Sequence, residues 1–238
     1  MTTILKKCLA YLRSFANKKK MLKFYSQFIN EGDLCFDVGA NIGDRTGIFL
    51  KLGARVVAIE PQTICQKIEK RYGSNKNLIV INKGLADKPG YLDLSICDSC
   101  SGISTMSNKW KKEGRFSNNY NWVETKSVPV VTLDSLIAEY GAPKFCKIDV
   151  EGFEYNVLNG LSKPMSYMSF EFTKEFLDDA KKCVDRLSSL GDVEFNYSLG
   201  ESMELSSKNW MSSAEIISRV EGIDDNDLWG DIYAKFLV

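Results

Sequence analysis

The chain has 238 residues, 44% of them hydrophobic and 26% charged, with 31 basic residues balanced by 31 acidic ones. That length holds one well-filled core or two small ones, and the composition is that of an ordinary globular protein. Zero formal charge removes any global electrostatic case for a nucleic-acid partner, and no apolar run reaches the 18 residues that a transmembrane helix needs.

Residues 1–30 read as a basic segment ahead of a domain over residues 31–238. Ile4, Leu5, Cys8, Leu9, Leu12, Phe15 and Ala16 fall at helical spacing, among Lys6, Lys7, Arg13, Lys18, Lys19, Lys20 and Lys23. Arg13 breaks the apolar run after Cys8 to Leu12, so no signal peptide is expected. Such a helix either packs its stripe on the domain or makes weak peripheral contact with a membrane surface. The stripe is short, which favours packing.

From Asp33 onward, short apolar runs alternate with helical patterns. Leu34 to Val38 predicts a strand, and Thr46 to Leu52 a helix stopped by Gly53. Arg55 to Ile59 is a β-branched strand, followed by a helix over Thr63 to Tyr72. Leu78 to Asn82 and Tyr91 to Ile96 predict two more strands, the second after the Lys88-Pro89-Gly90 turn. The polar segment Cys97 to Lys126 shows little periodicity and reads as a lid or binding loop. Beyond it the pattern gives a helix at Leu133 to Tyr140, a strand at Phe145 to Val150, a short helix at Glu154 to Leu161 and a strand at Tyr167 to Phe172. An amphipathic helix then carries Phe176, Leu177, Ala180, Val184, Leu187 and Leu190, and two late strands follow at Glu194 to Ser198 and Ile232 to Leu237. The alternation indicates a doubly wound, Rossmann-like α/β sheet, in which ligands bind beyond the carboxyl ends of the strands.

The strand ends carry the chemistry. Asp37-x-Gly39-x-Asn41-x-Gly43 closes the first strand, and glycines there let backbone N–H groups approach a ligand. The turn departs from G-x-G-x-x-G, and an acid directly precedes it. That acid would repel a pyrophosphate but would suit a ligand with an ammonium or sulfonium group. Glu60, at the end of the second strand, can accept hydrogen bonds from both hydroxyls of a ribose. Together these features describe S-adenosylmethionine, with NAD or another nucleotide as the alternative occupant. Further along, Lys147 and Asp149 share one face of the fourth core strand, where a lysine is costly to bury unless paired. Glu151, Gly152 and Glu154 follow at its turn; Glu154 also suits the start of a helix.

The chain has no histidine, so imidazole bases and histidine metal sites are excluded. Seven cysteines, several of them within apolar runs, suggest packed thiols in a cytoplasmic protein. Cys97 and Cys100 have CxxC spacing without a second pair, which is weak support for a redox or metal role.

The spaced motifs "FDVGANIG" (36–43), "VVAIEP" (56–61), "VVTLDSLI" (130–137), "KIDVEGFE" (147–154), "SFEF" (169–172) and "WGDIYAKF" (229–236) resemble the FkbM family of S-adenosylmethionine-dependent methyltransferases. The resemblance runs from about Phe24 to the C-terminus. It implies a class I methyltransferase fold: a mostly parallel seven-stranded sheet with the last strand antiparallel and helices on both faces. It also implies O-methylation of a hydroxyl on a small molecule, sugar or glycan. The cofactor site would then comprise Asp37, Gly39, Ala40, Asn41, Gly43, Glu60, Pro61 and Asp149, with Gly84 and Leu85 near the adenine.

Without histidine, Asp149 and Glu151 lead as bases for the acceptor hydroxyl, followed by Glu171. Lys147 would hold a carboxylate in place or stabilise developing oxyanion charge. The same three acids offer hard oxygen ligands, but no closed ligand set is legible and no metal is assigned. Three other readings remain open: a non-catalytic cofactor-binding or scaffold subunit, a nucleotide-dependent oxidoreductase, and methylation of a macromolecule.

Overall fold

A computed structural model describes residues 17–97 and 99–237. In chain order the elements are α1 (17–25), β1 (Leu34–Val38), α2 (Asp44–Lys51), β2 (Arg55–Ile59), α3 (Gln66–Tyr72), β3 (Leu78–Ile81), β4 (Gly84–Leu85), β5 (Gly90–Ile96) and α4 (Asn108–Glu113). There follow β6 (Glu124–Val131), α5 (Leu133–Tyr140), β7 (Phe145–Ile148), α6 (Glu154–Asn159), β8 (Tyr167–Thr173), α7 (Leu177–Ser188), β9 (Val193–Leu199), α8 (Ser213–Glu221) and β10 (Trp229–Phe236).

Seven strands form one sheet in the order β3-β2-β1-β7-β8-β10-β9. Every pairing is parallel except those of β10, which runs antiparallel to both neighbours. This is the class I methyltransferase sheet, with its reversed last strand. Strand order reverses between β1 and β7, so the carboxyl ends of these two strands border the crevice where such sheets hold ligands.

The central strands are apolar on both faces because both are covered. On one face Phe36, Val38, Ile148 and Phe170 pack with Leu133 of α5, Val157 of α6 and Val184 of α7. On the other, Cys35, Val56, Phe145 and Tyr233 pack with Phe24, Tyr25 and Phe28 from and just after α1, and with Phe49 of α2. Phe28 stacks on both Phe145 and Tyr233, with ring centroids 5.5 Å apart in each pair. Full burial of each such ring contributes roughly 1.5–3 kcal/mol. The basic segment's described end is therefore packed on the sheet; its apolar positions before Asn17 lie outside the described residues.

Two departures from the sequence reading shape the site. The fourth core strand stops at Ile148 rather than Val150, because Asp149 leaves the ladder after one last bond from its N–H to the Val38 carbonyl at 3.0 Å. The 97–126 segment is also more ordered than its polarity suggests. Ser107 caps a short helix, α4, by accepting from the Trp110 N–H at 3.1 Å, and β6 begins at Glu124. β6 pairs with β4 and β5 in a second, three-stranded sheet.

Candidate active site

At the end of β1 the backbone turns through Gly39 (φ 78°), Asn41 (φ 47°) and Gly43 (φ 82°). The Gly39 and Ala40 N–H groups donate to the Ile59 carbonyl at 2.9 and 3.0 Å, which binds the turn to β2. A Cβ on residue 39 would lie 1.7 Å from the carbonyl oxygen of Asp149. Only glycine lets the turn rest against the end of β7.

Glu60 follows β2 and is 3% exposed. Its Oε2 accepts from the Asn41 N–H and its Oε1 from the Gln62 N–H, both at 2.9 Å. Burial pushes its carboxyl above the ordinary value, against the pull of those two N–H groups. A carboxylate has about four acceptor positions, so two remain for a diol.

A cleft of about 200 Å³ opens beside this turn. Glu60 stands on its wall with Asp149 and Glu151, and Ile59, Leu85, Leu94 and Phe153 supply apolar surface. Its outer side is closed by the segment after β5. Ser101 Oγ donates to Asn41 Oδ1 at 3.1 Å, Gln62 Nε2 to the Ser101 carbonyl at 3.0 Å, and Ser104 Oγ to Gln62 Oε1 at 3.2 Å. Thr105 Oγ1 donates to the Glu151 carbonyl at 2.7 Å, which ties the same segment to the acidic turn.

Lys147 lies under that turn, its side chain 3% exposed, with Nζ 3.1 Å from Asp149 Oδ2 and 3.0 Å from Asp231 Oδ1. Burial disfavours its charge, but the two carboxylates outweigh burial and hold its pKa well above the ordinary lysine value. Asp149, Glu151 and Glu171 each bring a carboxylate oxygen within 4.8 Å of the other two. Burial raises the pKa of Glu151, and repulsion from Glu171 and Asp149 adds to it. Burial, then Asp149, does the same to Glu171. Such a cluster relieves its repulsion by sharing protons or by holding a cation. Glu154 heads α6; burial pushes its carboxyl up to about 7, although Oε1 accepts from the N–H groups of Val150 and Gly152 at 3.1 and 3.2 Å.

Of the residues singled out in the sequence, Gly39, Asn41, Glu60, Pro61, Gly84, Leu85, Asp149 and Glu151 line the cleft. Asp37, Ala40, Gly43, Lys147 and Glu171 do not. Asp37 is 2% exposed, accepts from Thr46 Oγ1 at 2.5 Å, and is paired across the β1–β7 ladder with Lys147. Burial raises its pKa, while Thr46 and Lys147 lower it. It thus supports the turn from inside. Glu171 reaches the acidic cluster from a neighbouring cavity. Sequence reasoning singled out the segment holding Ser101, Ser104 and Thr105 as a lid or binding loop without naming those residues, and missed Gln62 and Asp231; a buried strand lysine is a signal that an acid such as Asp231 must exist, but not where.

All described cysteines are free thiols, Cys97 and Cys100 included. No helix among the described residues is long and apolar enough to cross a membrane.

Comparison with solved structures gives distant likenesses. A precorrin-6Y C5,15-methyltransferase from Geobacter metallireducens GS-15 is 10% identical, with TM-score 0.49 over 92% of this chain and 87% of that one. A TehB-like SAM-dependent methyltransferase from Corynebacterium glutamicum is 10% identical, with TM-score 0.45 over 95% and 96%. A putative rRNA methylase from Clostridium thermocellum is 9% identical, with TM-score 0.45 over 90% and 93%. No curated protein matches the sequence. The family model for the methyltransferase FkbM domain matches residues 37–193, from the acid before the glycine turn to the start of β9. The chain belongs to the FkbM methyltransferase family.

Proposed function

We propose that the protein is an S-adenosylmethionine-dependent O-methyltransferase acting on a hydroxyl of a small molecule, sugar or glycan. The observation that carries this reading is one cleft with two different acidic ends: Glu60 fixed by two backbone N–H groups, and Asp149 with Glu151, which Glu171 joins from beside the cleft. The residues fit the cofactor. Glu60 retains lone pairs for a ribose diol, Gly39 lets the turn pack against the Asp149 carbonyl and so shapes the cleft wall, and Ile59 and Leu85 offer apolar surface to an adenine. Asp149, at the other end, suits a cationic tail.

Bound S-adenosylmethionine supplies a methyl on a sulfonium, so the acceptor oxygen forms the C–O bond as the C–S bond breaks and its electron pair stays on sulfur. The chain holds the two reactants in line and takes the acceptor's proton. Asp149 is occupied by Lys147. Glu151 and Glu171 have no cation within ion-pair distance among the described residues, and burial and mutual repulsion raise both pKa values, so each holds a proton more tightly than a free carboxylate and is a stronger base once ionised. Lys147 and Asp231 act as a buried brace that fixes Asp149. Free thiols fit a reducing, cytoplasmic setting.

Calorimetry with S-adenosylmethionine, its demethylated product and NAD tests the reading. Micromolar binding of the first two and not NAD is expected; binding of NAD alone overturns it. Glu151→Gln and Glu171→Gln should each bind cofactor normally and lose turnover by roughly 10²-fold or more. A non-catalytic scaffold predicts cofactor binding without turnover of any acceptor.

A further inference from the structure

The chain is neutral as a whole but not in its parts. Lys6, Lys7, Arg13, Lys18, Lys19, Lys20 and Lys23 all precede Phe24, and no acid appears before Glu31. The rest of the chain therefore carries 24 basic residues against 31 acidic ones. Neither the cleft nor the brace beneath it draws on this run of charge. Asymmetry of this kind points to a polyanionic partner surface.

α1 shows where the charge stands. Phe24 and Tyr25, with Phe28 and Ile29 just after the helix, are at most 3% exposed. Lys18, Lys19, Lys20 and Lys23 are all exposed. Among the described residues, Lys20 alone of these four meets an acid, Glu204 at 3.5 Å, and both side chains stay largely in solvent. Such a pair adds little to stability, so the fold does not require these lysines.

Packing also fixes the direction of the segment. Phe28 lies with its ring centroid 5.5 Å from those of Phe145 and Tyr167, the first residues of β7 and β8. Met21 Sδ accepts from Arg45 Nη1 at 2.9 Å, and Arg45 is the second residue of α2, directly after the glycine turn that ends β1. Glu204, the partner of Lys20, follows the end of β9. α1 thus runs against the parallel strands. Its lysine-rich start stands at the carboxyl edge of the sheet, the edge on which the cleft opens.

Ahead of α1 the sequence places Ile4, Leu5, Cys8, Leu9, Leu12, Phe15 and Ala16 at helical spacing. A nucleic-acid backbone asks for cations alone, whereas an apolar stripe flanked by lysines matches the boundary between lipid headgroups and acyl chains. A stripe this short holds a bilayer weakly unless charge assists. Each lysine or arginine near an anionic leaflet adds roughly fivefold in affinity.

We propose that residues 1–23 form an interaction surface for an anionic lipid bilayer, with the apolar positions entering its interface and the lysines lying against its headgroups. Packing and membrane contact, alternatives in the sequence, become two sides of one segment: Met21 and Leu22 pack with the aromatic residues on the sheet, and the lysines stay outside. Docking then brings the carboxyl edge of the sheet, and the cleft with it, towards the lipid.

The test is flotation of the full chain with unilamellar vesicles of phosphatidylcholine, alone or with about one third phosphatidylglycerol. The chain should bind the anionic vesicles at least about tenfold more tightly than the neutral ones and lose most of that advantage in about 0.5 M salt. Lys18→Gln/Lys19→Gln/Lys20→Gln/Lys23→Gln should weaken binding to anionic vesicles by about 50-fold or more, with Tm unchanged within about 2 °C. None of the four lines the cleft. Leu9→Ser/Leu12→Ser, which leaves every charge in place, should weaken binding by about tenfold or more. The idea fails if anionic vesicles are not bound, if neutral vesicles are bound equally well, or if the four-lysine variant binds unchanged. Polyuridylate bound more tightly than the vesicles, with the leucine variant indistinguishable from the unaltered chain, would assign the basic segment to nucleic acid instead. Docking is separate from the chemistry of the cleft, so none of these outcomes bears on the methyltransferase reading.

Discussion

The carbonyl oxygen of Asp149 occupies the place where a side chain on residue 39 would begin: a Cβ there would lie 1.7 Å away. The glycine turn after β1 and the acidic turn after β7 are thereby pressed together, and this contact sets Asp149 on the cleft wall. Gly39→Ala would meet both that oxygen and the strain of φ 78°. Left-handed strain costs about 1–3 kcal/mol and overpacking a similar amount, against a total stability of about 5–15 kcal/mol. Scanning calorimetry should register a fall in Tm of at least about 5 °C, with loss of measurable cofactor binding. A variant with unaltered Tm and affinity would mean that the two turns are free to part.

Glu60 is held by the Asn41 and Gln62 N–H groups on separate oxygens. Glu60→Gln replaces one of those oxygens with an amide NH2 that faces an N–H donor, and it removes the charge. The variant should bind S-adenosylmethionine at least about tenfold more weakly, a difference of about 1.4 kcal/mol, while remaining folded. Unchanged affinity in calorimetry would show that Glu60 orders the turn and does not touch the ligand.

What could be read in advance follows from how local each feature is. Gly39 and Glu60 were legible because a strand end, a glycine turn and the next strand end lie within about one βαβ unit, and their roles depend on backbone chemistry. Asp231 was not legible as a site residue: it meets Lys147 from a strand 84 residues away, and no pattern in either strand names its partner. α4 has only six residues, too few for a helical period to emerge from the Ser-, Asn- and Lys-rich stretch around it. β6 was obscured by its exposed first half, Glu124 to Ser127. The neighbouring cavity from which Glu171 reaches the acidic cluster depends on α4, β8 and α7 meeting in space, which no single segment encodes.

The Lys147 brace makes a prediction about stability apart from catalysis. Lys147→Met would leave Asp231, 6% exposed, without its cation. Removing one partner of a buried pair typically costs about 3–5 kcal/mol, whereas replacing both with apolar groups is often close to neutral. Urea unfolding should therefore find Lys147→Met badly destabilised and Lys147→Met/Asp231→Leu less so than the sum of the single variants. Additive single costs would argue that the two residues are not coupled.

Glu154 makes stability depend on pH in a stated direction. Its folded carboxyl titrates at about 7, against an ordinary value of 4.5. The folded chain binds this proton more tightly than the unfolded chain, so the stability linked to it is fully present below about pH 4.5 and is lost as pH rises through about 7. The shift corresponds to on the order of 3 kcal/mol. Glu151 and Glu171, also raised, act in the same direction. Glu175 and Asp179, whose pKa values are lowered by Arg115 and by Lys109 and Lys182 against the effect of burial, lose their contribution only in acid. Urea unfolding between pH 5 and 8 should therefore show stability falling as pH rises. Glu154→Gln, whose amide oxygen can still accept from the Val150 and Gly152 N–H groups, should remove a large part of that slope. A slope equally steep in the variant would assign the effect to Glu151 and Glu171, and a stability that rises with pH across this range would contradict the buried, proton-holding cluster altogether.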